Sequence, residues 1–520
     1  MEILSTPWIV ALFIIWGCFL FYSYKGQPNG LWVLALANTG ERFGYYTMLA
    51  VFALFLGENF GFEAGTASEI YTWFLTLVYF LPLFGGMLAD KFGYSKMVVI
   101  GIVIMFIGYL LLSLPLGGDM TAVVAMIAAL ALVSAGTGLL KGNLQVMVGD
   151  LYNDPQFADK RDSGFSLFYM AINVGALFAP TAAIMVMDWA QASLGYTKAD
   201  SYHFAFAVAC VSVILSILIY FFGKPAFRQV LNVTKKKAGE AAAIVEEDAK
   251  EVKERIICLC LVFAVVIFFW MAFHQNGLTL TWFADEFTAT SSTGIESMMF
   301  DVRNLLACIF IVYGLFGIFQ QKGLCRNLAI AMIVLGVAFL AMMIPGEGEV
   351  TSISAPIFQQ FNACFVVMLT PVSIALFSSL AKKGKEPKAP FKIGLGMLVA
   401  AAAYLMMTLC SIGLPATDHP NHVADVSPNL LVNTYLVLTF AELLLSPIGI
   451  SFVSKVAPAK YKGMMMGGWF VATALGNKLV AIPGHMWDMP LPVVWGTLML
   501  ICLVAAAFIF SILKKLNKVA

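Results

Sequence analysis

The sequence predicts an all-α polytopic membrane protein, and two observations support that prediction. Of the 520 residues, 61% are hydrophobic and only 12% are charged, with a mean hydropathy of +0.87, whereas soluble domains carry about 25% charged residues. Apolar runs long enough to cross a bilayer, which takes roughly 20 residues, recur along the whole chain. A soluble core does not need runs this long or this numerous.

Fifteen apolar runs are candidate transmembrane helices. We expect the first, near residues 7–24, to be a retained helix and not a signal peptide, because no basic residue precedes it and no small-residue cleavage site follows it. The other fourteen lie near residues 31–56, 70–89, 97–116, 121–149, 164–187, 202–222, 256–283, 303–321, 327–345, 354–381, 392–414, 428–453, 463–484 and 491–513.

The runs divide into two sets of six, with three extra. A polar segment separates the sets, and its mixed Lys and Glu residues suit a solvated cytoplasmic helix. The extra runs are an N-terminal helix and a hairpin, which we expect to be peripheral. Two six-helix bundles joined by a central segment are typical of transporters. The predicted divisions are an extra helix at 1–29, an N-terminal bundle at 30–222, a linker at 223–255, the first helix of the C-terminal bundle at 256–302, an extra hairpin at 303–350 and the rest of that bundle at 351–520.

Basic residues set the expected orientation. Of the 31 Lys and Arg residues, only Lys198 and Arg303 fall in the predicted outer loops, and cytoplasmic loops are the ones enriched in Lys and Arg. We therefore expect a multi-pass protein of the cell (inner or plasma) membrane, with its N-terminus outside and its C-terminus in the cytoplasm.

Composition argues against several classes of function. The net charge of +1 gives no electrostatic reason to expect a nucleic-acid partner. The nine cysteines are scattered and the five histidines are sparse, so we expect no metal site, no cofactor and no disulfide framework. The sequence lacks the motifs of serine hydrolases, zinc proteases and nucleotide-binding loops, so we do not expect an enzyme.

Six ionisable side chains fall inside the predicted spans. A charge at the centre of a bilayer costs at least ~2.5–3.5 kcal/mol, so each of them needs a partner or a water-filled cavity. One interpretation is that they form structural ion pairs between helices, and the other is that they line a path for a substrate or an ion. The six are Glu41, Arg42, Lys141, His274, Glu442 and Lys478.

The distribution of these charges favours a zwitterionic substrate. Arg42 and Lys141 lie in the predicted N-terminal bundle, whereas Glu442 lies in the C-terminal bundle. A substrate with its carboxylate on the two cations and its ammonium on Glu442 would bridge a cavity between the bundles. The planar guanidinium of Arg42 suits both oxygens of a carboxylate. The pattern fits a peptide or an amino acid.

Short motifs within the predicted spans carry a family resemblance. Four occur in order, namely ERFGYY at 41–46, GTGLLKGN at 136–143, FYMAINVG at 168–175 and ELLLSPIG at 442–449. Together they resemble signatures of the proton-dependent oligopeptide transporters, a branch of the major facilitator superfamily. GGMLADKFGYSK at 85–96 is similar to a loop motif of the superfamily, and FWMAFHQ at 269–275 and QQFN at 359–362 are looser matches. The resemblance covers about residues 31–514, apart from the extra hairpin.

The resemblance implies the major facilitator fold and a symporter that imports di- and tripeptides with protons by alternating access. In that family, the residues matching Arg42 and Lys141 serve the carboxyl end of the peptide and the proton-coupling network. The residue matching Glu442 serves the amino end, together with polar groups such as Asn173 and Asn362.

The resemblance also makes Glu41 a candidate proton-coupling carboxylate beside Arg42 and Lys141. Structural alternatives stay open. Glu41 could be a permanently ionised partner of Arg42, or Lys141 a structural partner of Glu41. Glu442 could pair with Lys478, and the two asparagines could simply bond helix to helix.

Aromatic side chains are expected to form the pocket walls, because they accept many substrate side chains through shape and dispersion. Tyr46 and Tyr79 match the family's pocket positions best. Trp270 and Trp469 are further predicted substrate-binding residues, and Tyr45 is expected beside them. Each aromatic could instead be ordinary core.

Three positions depart from the family pattern. Asn38 stands where the family has a second Glu, and Leu49 stands where a further Arg is common. His274 replaces a Glu of the seventh core helix. Because histidine titrates near neutral pH, His274 is a candidate for the coupling role that Asn38 cannot fill. Its alternative is a neutral imidazole that bridges helices.

The expected partners are a di- or tripeptide, protons and the lipid bilayer, and the expected state is a monomer. Two alternatives stay open. One is a related carrier for another small substrate, such as an amino acid or nitrate. The other is a peptide facilitator or sensor that does not accumulate its ligand.

Overall fold

The computed structural model describes residues 2–23, 25–157, 160–231, 249–417, 419–420, 422–458 and 461–519. Within these residues, thirteen helical stretches are long and apolar enough to cross a bilayer. Each of the fifteen predicted spans coincides with a helix, including the shorter apolar stretch Pro7–Ser23 and the helix Asn29–Phe60. The predicted all-α fold of a multi-pass membrane protein is therefore confirmed.

The first half of the described chain is almost entirely helical. A 3₁₀ helix over Lys224–Val230 begins the predicted linker, whose charged residues 232–248 lie outside the described residues. One predicted span is interrupted at Leu81, directly before Pro82. The helices are α1 (Glu2–Ser23), α2 (Asn29–Phe60), α3 (Ala64–Phe80), α4 (Pro82–Phe92), α5 (Tyr94–Leu112), α6 (Met120–Leu151), α7 (Arg161–Leu194) and α8 (Lys198–Phe222).

The second half contains two features that hydropathy did not predict. A 3₁₀ turn over His274–Gly277 interrupts the first span. Strands β1 (Ser291–Thr293) and β2 (Val350–Ser352) pair antiparallel. The helices are α9 (Ala249–Phe273), α10 (Thr279–Glu286), α11 (Gly294–Ser297), α12 (Val302–Gln320), α13 (Leu324–Met342), α14 (Gln359–Lys382), α15 (Ala389–Cys410), α16 (Pro428–Val456), α17 (Lys462–Leu479), α18 (Ala481–His485), α19 (Leu491–Ser511) and α20 (Leu513–Val519).

Small residues let the helices of the first half approach closely. A Cβ atom at Gly85 of α4 would lie 2.1 Å from the carbonyl oxygen of Gly138 on α6. A Cβ atom at Gly175 of α7 would lie 2.7 Å from the carbonyl oxygen of Thr39 on α2, and the Thr39 hydroxyl donates to the Ala171 carbonyl oxygen at 3.0 Å. The motifs containing these glycines therefore set the spacing between helices that carry candidate site residues.

The two halves meet along a seam at which α3 packs against α17 and α7 packs against α14. At one end of the seam, the carboxylate of Glu69 on α3 binds the ammonium of Lys478 on α17 and lies 3.0 Å from Nε2 of His485 on α18. Nearby, Asn477 donates from Nδ2 to the Leu75 carbonyl oxygen at 3.3 Å. We call this end, where α2 ends and α3 begins, the Glu69 end. Polar contacts therefore hold the two halves together at this end.

The predicted extra helices α1, α12 and α13 pack against one another beside the seam. The indole of Trp16 on α1 lies 5.6 Å from the ring of Phe310 and 6.0 Å from the ring of Tyr313, both on α12. In turn, α12 contacts α7 and α14. The extra helices therefore cover one side of the seam between the halves.

We expect Glu69→Gln to loosen the Glu69 end, because the substitution removes the charge that Lys478 and His485 share. Partly exposed ion pairs contribute ~0–1 kcal/mol, so amide exchange at the adjacent ends of α3 and α17 should accelerate by up to about fivefold. Hydrogen–deuterium exchange with mass spectrometry measures this. Glu347→Gln, an exposed carboxylate after α13, is the control and should change nothing. Unchanged exchange in Glu69→Gln would show that other contacts hold the closure.

Candidate functional site

A cavity of about 230 Å³ lies between the two halves, far larger than the ~10–15 Å³ that one water molecule needs. Helices α2, α3, α6 and α7 line it from one half, and α9, α14, α16 and α17 line it from the other. The structure places all nine predicted substrate-binding residues in its wall, namely Arg42, Tyr46, Tyr79, Lys141, Asn173, Trp270, Asn362, Glu442 and Trp469.

Glu41 and Arg42 form a buried ion pair on α2. The Arg42 Nε atom lies 2.6 Å from Oε2 of Glu41, and Nη2 lies 2.8 Å from Oε1, so the guanidinium grips both carboxylate oxygens. Glu41 is 0% exposed and Arg42 is 4% exposed. Arg42 lines the cavity, whereas Glu41 is not among its lining residues. Glu41 therefore holds and neutralises Arg42 from behind the cavity wall.

The ammonium of Lys141 on α6 contacts an aromatic ring and not a carboxylate. This ammonium lies 3.7 Å from the centre of the Tyr79 ring on α3, which is the geometry of a cation–π contact. Among the described ion pairs, Glu41 pairs with Arg42 and none joins Lys141 to Glu41. The structural pairing of Lys141 with Glu41 that the sequence left open is therefore not found.

Glu442 presents a carboxylate to the cavity from α16. Asn362 on α14 donates from Nδ2 to Oε2 of Glu442 at 3.1 Å and to the Thr439 hydroxyl at 3.0 Å. The alternative partner, Lys478, binds Glu69 at the seam. Glu442 is 8% exposed, and no cation among the described residues forms an ion pair with it. Among the described residues, its carboxylate therefore faces the cavity with one hydrogen-bond donor, the amide of Asn362.

His274 stands at the first residue of the 3₁₀ turn that follows α9. Its Nδ1 atom lies 2.5 Å from Oδ1 of Asn477, and its ring stacks on Trp270 with centroids 4.8 Å apart. Because the Asn477 amide nitrogen donates to the Leu75 carbonyl oxygen, the Asn477 oxygen accepts from Nδ1–H of His274. Nε2 is then the nitrogen at which His274 would take up a further proton.

Several polar lining residues were not singled out in the sequence. Gln145 follows Lys141 by four residues on α6, so helical spacing alone places it on the same face. Tyr169 precedes Asn173 by four residues within the FYMAINVG motif, and the same rule applies. Ser446 likewise follows Glu442 by four residues on α16, and Thr473 follows Trp469 by four residues on α17. Gln359 precedes Asn362 by three residues on α14, whereas Asn276 comes from the 3₁₀ turn.

Two lining residues carry buried donors without a hydrogen-bond acceptor among the described residues. These donors are Nδ2 of Asn38 and Nε1 of Trp270. Buried donors are nearly always paired, so each calls for an explanation. Because both nitrogens are buried, they lie behind the surface of the cavity and not on it.

The sequence matches a family profile over two long ranges. Residues 95–242 and 337–489, more than half of the chain, match the sequence profile of the POT family. The chain belongs to the POT family. The family resemblance of the motifs is thereby confirmed. Three of the four signature motifs lie within the matched ranges, whereas ERFGYY at 41–46 lies before them.

Other POT proteins align along most of their length. The uncharacterized transporter YclF of Bacillus subtilis is 29% identical over 511 residues, which cover 93% of each protein. The di-/tripeptide transporter of Lactococcus lactis subsp. cremoris is 27% identical, and the match covers 88% of this chain and 89% of that relative.

Solved POT structures share the fold. The crystal structure of peptide transporter POT in complex with sulfate aligns with a TM-score of 0.71 and 24% identity, over 95% of this chain and 96% of the other. A POT family transporter in complex with 5-aminolevulinic acid aligns with a TM-score of 0.72 and 20% identity, over 95% of this chain and 97% of the other. The predicted major facilitator fold is confirmed.

We expect Glu41→Gln to destabilise the protein, because it leaves the Arg42 guanidinium charged and buried without its carboxylate. Removing one partner of a buried ion pair costs about 3–5 kcal/mol. The unfolding temperature in detergent, followed by intrinsic fluorescence, should therefore fall by several degrees.

The matched control is Glu251→Gln, which removes the exposed partner of Arg255 on the surface of α9. Such helix-surface pairs contribute ~0.3–0.5 kcal/mol, so its unfolding temperature should barely move. If Glu41→Gln unfolded at the same temperature as the unaltered protein, Arg42 would have to be stabilised by other groups.

Proposed function

We propose that this POT protein is a proton-coupled symporter that imports di- and tripeptides by alternating access. One observation carries the proposal. The central cavity has two cations, Arg42 and Lys141, on one half, and on the other an anion, Glu442, that has no ion-pair partner among the described residues. Membership of a transporter family supports it, as does the similarity to relatives named di-/tripeptide transporters.

A peptide satisfies both sides of this cavity at once. Its carboxylate faces Arg42 and Lys141, and its ammonium faces Glu442 beside Asn362 and Asn173. A zwitterion bound in this way contributes one opposite charge to each wall, so neither wall is left with an uncompensated buried charge. The ligand therefore draws the two halves together, which is the differential interaction that a conformational change requires.

Aromatic rings provide the remaining walls. Tyr46 and Tyr79 come from the first half, and Trp270 and Trp469 come from the second. Rings of this size bind substrate side chains by contact area and dispersion, with little demand on their identity. We accordingly propose that the central cavity recognises peptide termini strictly and the side chains within it loosely.

Proton coupling is proposed at Glu41, Arg42, Lys141, His274 and Glu442. Because both Glu41 oxygens accept from Arg42, a proton on Glu41 and a substrate carboxylate on Arg42 favour each other. Glu442 can take a proton when the substrate ammonium has left. A membrane potential of 100 mV supplies ~2.3 kcal/mol for each charge moved, which suffices for accumulation.

We place the protein in the cell (inner or plasma) membrane, with the N-terminus outside and the C-terminus inside. In that orientation the closed Glu69 end faces outwards. We propose a monomer as the working unit. The proposal involves no cofactor, no nucleic acid and no enzymatic step.

Uptake of labelled dialanine into proteoliposomes tests the function. We expect accumulation under an inward proton gradient and collapse when the gradient is removed. Glu442→Gln and Arg42→Ala should each reduce accumulation by at least tenfold, because each removes the charge opposite one peptide terminus. Glu347→Gln, outside the cavity, should transport normally. Equilibration without accumulation would favour a facilitator or sensor, and no interaction with any peptide would favour a different substrate.

A variant of His274 tests whether this residue takes part in proton coupling or only bridges helices. We expect His274→Gln to keep peptide exchange down a concentration gradient and to lose gradient-driven accumulation, because Gln can still donate to Asn477 but cannot titrate. Counterflow and accumulation measured on the same vesicles give the two quantities. Accumulation at the unaltered level would leave His274 as a neutral bridge between helices.

A further inference from the structure

A second cavity lies beside the central one. It has a volume of about 400 Å³ and is bounded by α1 and α12 of the extra helices and by α7 and α14 of the two halves. It shares Tyr169 and Asn173 with the central cavity. These residues are one helical turn apart on α7, so that turn is the wall between the two spaces. We call this second space the side cavity.

The extra helices α1 and α12 form one side of the side cavity, and the seam between α7 and α14 forms the other. Near the Glu69 end, α7 and α14 are joined by the Thr181 hydroxyl, which donates to Oε1 of Gln360 at 3.0 Å. Towards the opposite end, Thr370 of α14 lines the side cavity with residues of α7. Phe19 and Leu20 of α1 cover it and are only 6% and 7% exposed. Side chains of the extra helices therefore cover part of the seam on this side.

The chemistry of the side cavity suits an uncharged group. None of its described lining residues is charged. Phe316, Tyr313 and Met170 provide aromatic and thioether surface, which adapts to irregular apolar shapes. Thr370 and Gln320 add neutral polar atoms. An ionised side chain would lose its hydration there without gaining a partner.

We propose that the side cavity is a specificity site for the bulky, uncharged side chain of the substrate's amino-terminal residue. The inference rests on the proposed peptide transport. Asn173, proposed to serve the amino end of the peptide, lies on the wall that the two cavities share, so the side chain beside that amino group lies next to the side cavity. The central cavity of about 230 Å³ is smaller than the ~300–1,000 Å³ usual for ligand sites. The two cavities together fall within that range.

Two dipeptides of the same composition, Phe-Ala and Ala-Phe, test this assignment with dialanine as the reference. Thr370→Phe fills the side cavity with a ring. We expect it to reduce Phe-Ala uptake by at least tenfold and to leave Ala-Phe and dialanine uptake nearly unchanged. The control is Thr408→Phe on α15. The hydroxyl of Thr408, like that of Thr370, donates at 2.6 Å to the carbonyl oxygen four residues earlier. Thr408 lines neither cavity.

A second variant keeps the test decisive if Thr370→Phe does not fold. Val367→Ala enlarges the side cavity and should raise uptake of Trp-Ala relative to dialanine severalfold. Equal effects on Phe-Ala and Ala-Phe, or unchanged discrimination in both variants, would overturn the proposal. Native mass spectrometry gives a further outcome. If discrimination is unchanged and a phospholipid copurifies with the unaltered protein but not with Thr370→Phe, the side cavity is a lipid site and the proposal is overturned. Failure of the unaltered protein to transport any dipeptide would overturn the proposed function itself.

Discussion

The buried ion pair between Glu41 and Arg42 is the interaction on which the central cavity depends. An arginine at this depth is tolerated only when its charge is matched and its donors are occupied. Glu41 meets both demands with a two-pronged contact from the adjacent position of the same helix. The guanidinium is thereby fixed in the cavity wall before any ligand arrives. A preoriented cation costs a ligand less to engage than a mobile one.

The two halves solve the problem of buried charge in different ways. Lys141 rests on the face of the Tyr79 ring, whereas Glu442 is supported by the amide of Asn362. Neither arrangement neutralises the charge fully, since a ring quadrupole and an amide dipole are weaker partners than an opposite ion. The cavity therefore holds residual positive potential on one wall and residual negative potential on the other. That asymmetry gives the site its polarity.

Much of this could be predicted from the sequence, because its causes are local. Hydropathy marks apolar runs wherever they occur, and a charge inside a run stands out against the bilayer. The choice of partner could not be predicted. Lys478 was compatible with Glu442 by charge and by membership of neighbouring core helices, yet it binds Glu69 across the seam. Only the assembled halves decide between two such carboxylates.

Breaks in regular structure were also missed. The 3₁₀ turn at His274–Gly277 interrupts a long apolar span, and hydropathy alone did not predict it, although the Asn276–Gly277 pair is a local turn signal. The three-residue strands β1 and β2 are too short to show an alternating pattern. The side cavity depends on where the extra helices dock, which hydropathy does not encode. Apart from that turn, the missed features arise from contacts between distant parts of the chain.

The side chain of Asn477 connects His274 to the seam between the halves. Its amide oxygen accepts from His274, and its amide nitrogen donates to Leu75 on the other half. The imidazole is therefore linked through one side chain to the seam. A change in the hydrogen bonding of His274 would therefore act on the hydrogen bond between Asn477 and Leu75, where the halves meet.

The closure at the Glu69 end has a thermodynamic consequence. Its charged members are partly hydrated, with Glu69 42% exposed and Lys478 28% exposed at their side chains, and contacts of this kind contribute ~0–1 kcal/mol each. Reversing a 1:99 equilibrium takes ~5.5 kcal/mol, more than such contacts supply. These charged contacts alone therefore do not fix the protein in the closed arrangement. Because surface charges are screened by salt, higher ionic strength would weaken this part of the closure.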